Sequence, residues 1–430
     1  MKKKVLIGII VTIIICVTVI LIKEMVNSQV DDETVINDSE KNIDREDNED
    51  NEDKVKLTDC KEAIKSANSE FENIKSKKYG NMDFSKCNID IADVSEVYEL
   101  NTSADRIEDD MTDKEKAELI ERTINRFYDG ELKNIGKLPG RITLNNGKSI
   151  DITLDDIKNG KYEGQYKLYS CIFFKDERES GGKGFCQIDP GMRSLWMSRG
   201  DLIETAPMAA YQTIKTYPVY EGNKELEDTI DMKNGSMKVI DGIKFVENYL
   251  NNTLFEKKNE SAPFKVTSVE VLDTGNFKSM GFRVARSYKG IKFETAPSIQ
   301  ISSVNDNYAD STGEVVMARN DQIENFSGLD SANDPLKEIK EYKRIVSLND
   351  AVELLAKSLG ENSDYDIRSI NIRYQFVYSK DENDPELDEW DAIGIPVWKI
   401  VAINKQDDKG MVFYVNMVNG EVRYRKSWAL

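Results

Sequence analysis

The sequence predicts an α+β protein in which amphipathic helices are each followed by antiparallel strands. Three observations predict it. Apolar residues recur at helical spacing in some stretches and alternate strictly in others. Asn-Gly and Gly-rich pairs separate the alternating runs, as tight hairpin turns require. In the last two hundred residues the same order, helix then strands, occurs twice. The chain has 430 residues, 39% hydrophobic and 32% charged, which is ample for more than one core.

The first element is an anchor over residues 1–23. Lys2, Lys3 and Lys4 precede an uncharged run from Val5 to Ile22 that Lys23 and Glu24 close. At about 1.5 Å per residue such a helix spans roughly 27 Å, close to the thickness of a bilayer core. The lysines place the N-terminus in the cytoplasm and the rest outside, so the expected localisation is a single-pass cell-membrane protein. A cleaved signal peptide is the rival, but the run exceeds a usual apolar core and no small-x-small site follows. Cys16 is a poor lipid-attachment site because Ile13, Ile14 and Ile15 precede it.

Residues 24–56 read as an acidic disordered stalk. Between Asp31 and Asp53 twelve of twenty-three residues are Asp or Glu and none is aromatic. Such a tract repels itself and cannot bury a core, so it extends.

Residues 57–234 read as an N-terminal α+β domain. Ala63, Ile64, Ala67, Phe71 and Ile74 form one helical stripe with Asp59 placed to cap it. Thr112-x-x-Glu115 is a capping box before the stripe Leu119, Ile120, Ile124 and Phe127, and Gly130 marks the stop. Strands are expected at Arg141–Leu144, Ser149–Leu154 and Tyr166–Phe174. The glycines at 181, 182 and 184 lack phosphate-loop spacing and read as a hairpin tip. Four cysteines lie outside the anchor. An oxidising compartment permits two disulfides, and nearness in sequence favours Cys60 with Cys87 and Cys171 with Cys186 among three connectivities.

Residues 235–335 and 336–430 form a degenerate repeat. Val246-Glu247 corresponds to Val352-Glu353 on helices, and Ser268-Val269 to Ser369-Ile370 on strands. Gly290-Ile291 corresponds to Gly394-Ile395, and Gly313-Glu314-Val315 to Gly420-Glu421-Val422, all in one order and at nearly constant separation. In the second copy Ser347 caps Leu348–Leu359. Ile370, Ile372, Tyr374, Phe376 and Tyr378 then alternate along a strand, and Asn419-Gly420 turns the chain into Glu421–Arg425. A helix laid across one sheet face would bury both stripes.

The helix Leu348–Leu359, the strand after it, Gly394-Ile395-Pro396-Val397-Trp398 and the closing hairpin Phe413–Val422 resemble the PepSY-like modules of membrane-anchored extracytoplasmic bacterial proteins, including regulators of two-component sensor kinases. The likeness is good over about ninety residues, poorer over Val239–Val315, and slight before that. It implies two tandem helix-on-antiparallel-sheet modules. It also implies a non-enzymatic binding or regulatory role towards an envelope protein partner such as a sensor kinase or envelope enzyme. Its motifs are structural, so it implies no catalytic, cofactor or metal residue.

Composition narrows the chemistry further. No histidine is present, which removes Ser-His-Asp and Cys-His nucleophiles, histidine-bound metals and imidazole proton transfer. A net charge of −19 with no strongly basic stretch argues against nucleic acid. A carboxylate pair is the remaining hydrolytic option, with Glu177, Glu179, Asp189 and Asp201 as examples, and a cell-wall glycan-acting enzyme is the alternative function. A structural part of an envelope or sporulation assembly is a second alternative. The acidic loop Asp381–Asp391, seven carboxylates in eleven residues, reads as a solvated connection. Met192, Arg193, Trp196, Met197 and Arg199 gather aromatic, thioether and guanidinium groups in one segment, and exposed together they would suit a protein interface.

Overall fold

The structure is a computed structural model that describes residues 34–35, 55–91, 94, 96–101, 112–130, 132–165, 171–174, 185–188, 195–199, 212–220, 222–255, 262–294, 312–328, 336–360, 364–379 and 391–427. The expected anchor and most of the stalk lie outside the described residues, but the expected disorder is corrected where the stalk is described: Thr34–Val35 pairs antiparallel with Tyr424 and Arg423, and Val55 packs against the second core. Among the described residues no helix is long and apolar enough to cross a membrane.

Helix α1 (Cys60–Ser76) starts where Asp59 accepts the backbone N–H groups of Lys61 and Glu62 at 3.1 and 3.2 Å. It buries Ala63, Ile64, Ala67, Phe71 and Ile74, the predicted stripe. Short strands β1 (Asn81–Asp83), β2 (Asn88–Asp90) and β3 (Val97–Asn101) follow. Helix α2 (Asp113–Phe127) has the Thr112–Glu115 capping box in both directions. A hairpin of β4 (Pro139–Thr143) and β5 (Ser149–Thr153) comes next. Leu154, expected to end that strand, instead opens helix α3 (Leu154–Lys158), because Thr153 and Asp156 form a second capping box.

Strands β6 (Cys171–Phe174), β7 (Phe185–Ile188) and β8 (Leu195–Ser198) pair in sequence, then β9 (Gln212–Pro218) and the hairpin of β10 (Thr229–Met232) and β11 (Gly235–Lys238) lead onward. Helix α4 (Val239–Asn248) runs on as a π-helical segment, Tyr249–Leu254. After it come β12 (Phe264–Asp273), β13 (Lys278–Tyr288), β14 (Ile291–Phe293), β15 (Thr312–Met317), β16 (Asn325–Gly328) and β17 (Lys337–Tyr342). The chain closes with α5 (Leu348–Leu359), β18 (Asp364–Ser379), β19 (Asp391–Asn404), β20 (Gly410–Asn416) and β21 (Val422–Ser427).

Two segments share one topology. α4 precedes an antiparallel meander β12-β13-β15-β16, and α5 precedes the meander β18-β19-β20-β21. The first strand of each carries a bulge just before its serine, between Val266 and Ser268 in one and between Ile367 and Ser369 in the other. Val246 and Val352 are both fully buried. Two of the four sequence markers nonetheless fall on different elements. Gly290 leads into the extra strand β14 whereas Gly394 lies inside β19, and Gly313 lies in the third strand whereas Gly420 precedes the fourth. Short Gly-led words recur in any antiparallel meander, so order alone cannot assign them to equivalent strands.

The two sheets are continuous. β14 pairs antiparallel with the end of β13 and parallel with β18, which carries hydrogen bonding from one meander to the other. Residues 57–234 are divided between two cores. α1 packs on α5, β1 and β2 run parallel to β18, and β3 pairs with β17 and β19, so this part joins the second meander. α2 and the strands after it share a core with α4 and the first meander, through residues such as Ile124, Phe127, Val246, Phe264, Phe282 and Phe326. The second core includes Phe71, Val352, Ile370, Tyr374, Trp398 and Phe413, and the Trp398 indole N–H donates to the Val346 carbonyl at 2.9 Å. Close approach of α4 to its sheet depends on Gly242, since a Cβ there would meet the Phe282 ring at 2.9 Å. Gly420 has φ +77°, the left-handed geometry its turn requires.

The disulfide expected between Cys60 and Cys87 is absent, and both are buried free thiols. Cys60 opens α1, whereas Cys87 lies in the field of Lys75 near the other end of that helix. The intervening helix spans about 22 Å, far beyond the ~7 Å limit for a bridge. Nearness in sequence was undone by a helix lying between the two. In the β6–β7 hairpin Cys171 faces Ile188 and Cys186 faces Phe173, so those cysteines are diagonal and not opposed. Burial pushes the Cys87 thiol up to about 12 and raises Cys60 as well. Iodoacetamide at pH 8 should therefore leave both unlabelled in the native protein and label both in urea without reductant. A Cys60–Cys87 linked peptide in that digest would overturn the assignment.

Candidate binding face on the second sheet

The predicted interface segment does not form one exposed cluster. Met192 and Arg193 lie outside the described residues. The Trp196 backbone pairs with Ser327 and Gln187, and its side chain is not among those described. Met197 is fully buried and Arg199 is 4% exposed, which corrects their placement on a surface. The Arg199 guanidinium donates to the Phe127 carbonyl, pairs with Asp129 at 2.8 Å and stacks on the Phe127 ring. Its backbone N–H donates to the Glu324 carbonyl at 2.8 Å. Arg199 is thus a strut between the end of α2 and the first meander, and its charge is stabilised by a helix-end carbonyl and a carboxylate. Glu177, Glu179, Asp189 and Asp201 lie outside the described residues, as does the acidic loop apart from Asp391 at the start of β19.

The side of the second sheet opposite α5 carries a polar array that strand register assembles. Ile370, Ile372 and Tyr374 enter the core, so Asn371, Arg373 and Gln375 point the other way. Across neighbouring strands, Asp90, Asn371, Lys399, Tyr414 and Arg423 stand side by side in one row. The next row holds Lys292, Arg373, Val397 and Asn416. Glu294 follows β14 and is fixed by its backbone N–H, which donates to the Tyr374 carbonyl at 2.7 Å.

Within this array Lys399 Nζ lies 2.8 and 2.7 Å from the two Glu294 carboxylate oxygens, and Tyr414 Oη donates to Oε1 at 3.2 Å. The pair is sheltered, with 18% of the Lys399 and 5% of the Glu294 side chain exposed. Lys292 and Arg373 are partly buried cations directly opposite each other in the parallel pairing. Desolvation, with Arg373 beside it, pulls the Lys292 ammonium down to about 8. Desolvation likewise lowers Arg373. The Asn371 side-chain oxygen is buried with no donor. These groups can accept and donate in fixed directions, and they lie where the two meanders join.

Sequence reasoning missed this face because a strand with alternating polar residues reads as one with a solvated side. The signal present was the density of charge within it, Arg373, Lys399 and Arg423 on three strands otherwise rich in apolar residues. The first meander has a different polar anchor. There Glu247 of α4 accepts the backbone N–H of Val266 at the bulge at 3.0 Å and pairs with Lys265 at 2.9 Å.

No family model matches the chain, and no curated protein gives a significant match. Among solved structures, that of an uncharacterized protein from Eubacterium rectale ATCC 33656 is similar with a TM-score of 0.46 at 12% identity, over 79% of this chain and 89% of that one.

Proposed function

We propose that this chain is a membrane-anchored extracytoplasmic protein that binds and regulates an envelope protein partner without catalysing a reaction itself. The anchor is Val5–Ile22, and the likeness of the C-terminal unit to PepSY-like modules supports the regulatory role. The observation that carries the binding role is the polar face of the second sheet. Its rows are held by backbone pairing across β2, β14, β18, β19, β20 and β21, so its donors and acceptors are preorganised. Asn371, Gln375, Tyr414 and Asn416 are buried and fix the frame, so the groups a partner can reach are the half-buried Lys292, Arg373, Lys399 and Arg423.

Two measurements test the proposal together. Protease added to wall-stripped cells should remove everything beyond the stalk, and protection of the folded part would overturn the outside placement. A photocrosslinker placed at Arg423, beside Tyr414 on this face, should capture one discrete membrane-associated protein. Equal capture from Lys148 on the remote β4–β5 turn would sink the assignment of the face.

A further inference from the structure

We propose that Lys292 and Arg373 form a receptor for a carboxylate group presented to the polar face. This deepens the binding role proposed above and rests on it. The two residues are direct partners in the β14–β18 pairing, where adjacent strands lie about 4.8 Å apart and opposed side chains leave on the same side. Like charges so placed repel, and a fold that retains them unpaired is destabilised unless a counter-ion binds. Among the described residues neither has an ion pair. Lys292 Nζ donates to the Val219 carbonyl at 3.3 Å, and Arg373 Nη1 donates to the carbonyl of its neighbour Ile372 at 3.1 Å. The other lysine of the face is already satisfied, because Lys399 holds both oxygens of Glu294.

A second observation points the same way. Asn371 is only 7% exposed, stands two residues before Arg373 on the same face, and its side-chain oxygen has no donor. An occupant carrying an N–H or O–H beside its carboxylate would supply that donor. Charge selects carboxylate over phosphate. Glu294 and Glu247 also act on these cations but are each paired, with Lys399 and Lys265, so with Asp90 facing Asn371 in the adjoining strand the group Lys292, Arg373 and Asp90 keeps one net positive charge. A singly charged anion balances that, whereas a phosphate dianion meets Asp90 with excess negative charge. The planar guanidinium can take both oxygens of a carboxylate while the ammonium adds a point charge. The carboxylate could come from a small free acid or from a peptide C-terminus, and the probes below separate these sources.

The test uses the full chain in detergent micelles, titrated with propionate, acetyl-triglycine, the amide of acetyl-triglycine and inorganic phosphate, and read by calorimetry and thermal melting. Both carboxylates should bind and raise the melting temperature, while the amide should not. Tighter binding of acetyl-triglycine than of propionate by tenfold or more identifies a peptide C-terminus as the source, and equal binding identifies a free acid. Lys292→Met and Arg373→Gln should each weaken carboxylate binding at least tenfold, with Lys148→Met unchanged. Lys292→Met should also melt higher than wild type without ligand, because it removes one of two apposed cations. That rise shows that lost binding does not come from lost folding. No carboxylate binding, equal binding by the variants, or tighter binding of phosphate would overturn the proposal. Partner capture without a carboxylate response sinks this site alone, whereas a carboxylate response without partner capture leaves the site and sinks the protein-partner reading.

Discussion

Val352→Asp should abolish folding of the second meander. Val352 sits on α5 with Leu348, Ala351 and Leu355, all fully buried, and shares a core with Trp398, Phe413 and Val415. An aspartate there either keeps an unpaired charge in an apolar site or takes up a proton and still lacks a partner, at a cost of several kcal/mol. Total stabilities of about 5–15 kcal/mol leave little beyond that. Val246→Asp should act in the same way on the first meander, because Val246 is equally buried on α4. Lys357→Ala, on the exposed side of α5, should change stability by less than about 0.5 kcal/mol. Urea titration followed by circular dichroism and Trp fluorescence checks all three. A wild-type midpoint for Val352→Asp would mean that α5 does not pack as described.

Breaking the Glu294–Lys399 pair from one side should have the next largest effect. Glu294 is only 5% exposed, and Lys399→Met removes the ammonium held against both of its carboxylate oxygens while the Tyr414 donor stays. Removing one partner of a buried pair commonly destabilises by about 3–5 kcal/mol, whereas replacing both by apolar groups of similar size is close to neutral. The double variant Lys399→Met with Glu294→Leu should therefore be more stable than Lys399→Met alone. A double-mutant cycle measures the coupling, expected to exceed about 1.5 kcal/mol. Additive single changes would show that the two side chains act independently, and the face would lose its central fixed element.

Local signals foretold much of what the fold displays. The Asp59 cap, the Thr112–Glu115 box and the bounds of Leu348–Leu359 are found as read, because caps and helical stripes are settled within a few residues. The alternation of Ile370, Ile372 and Tyr374 was legible for the same reason, since a strand's two sides follow from period two. Pairings of cysteines and the surroundings of Arg199 were not legible. Each depends on which distant elements pack together, and nothing local to Cys60 or Arg199 encodes that α1 lies between one pair or that α2 ends against the other.

By itself the sequence determined the α+β class, the helices and their buried stripes, the twice-repeated helix-then-strands order, and the exclusion of histidine chemistry. Tertiary structure alone decided that residues 57–101 join the C-terminal core, that β14 welds the two meanders, and that Lys292 and Arg373 stand opposite each other. The physical reason is range. Caps and periodicity act between residues a few positions apart, whereas pairing a strand at 292 with one at 373 closes a long loop whose entropy only the assembled sheet and cores can offset.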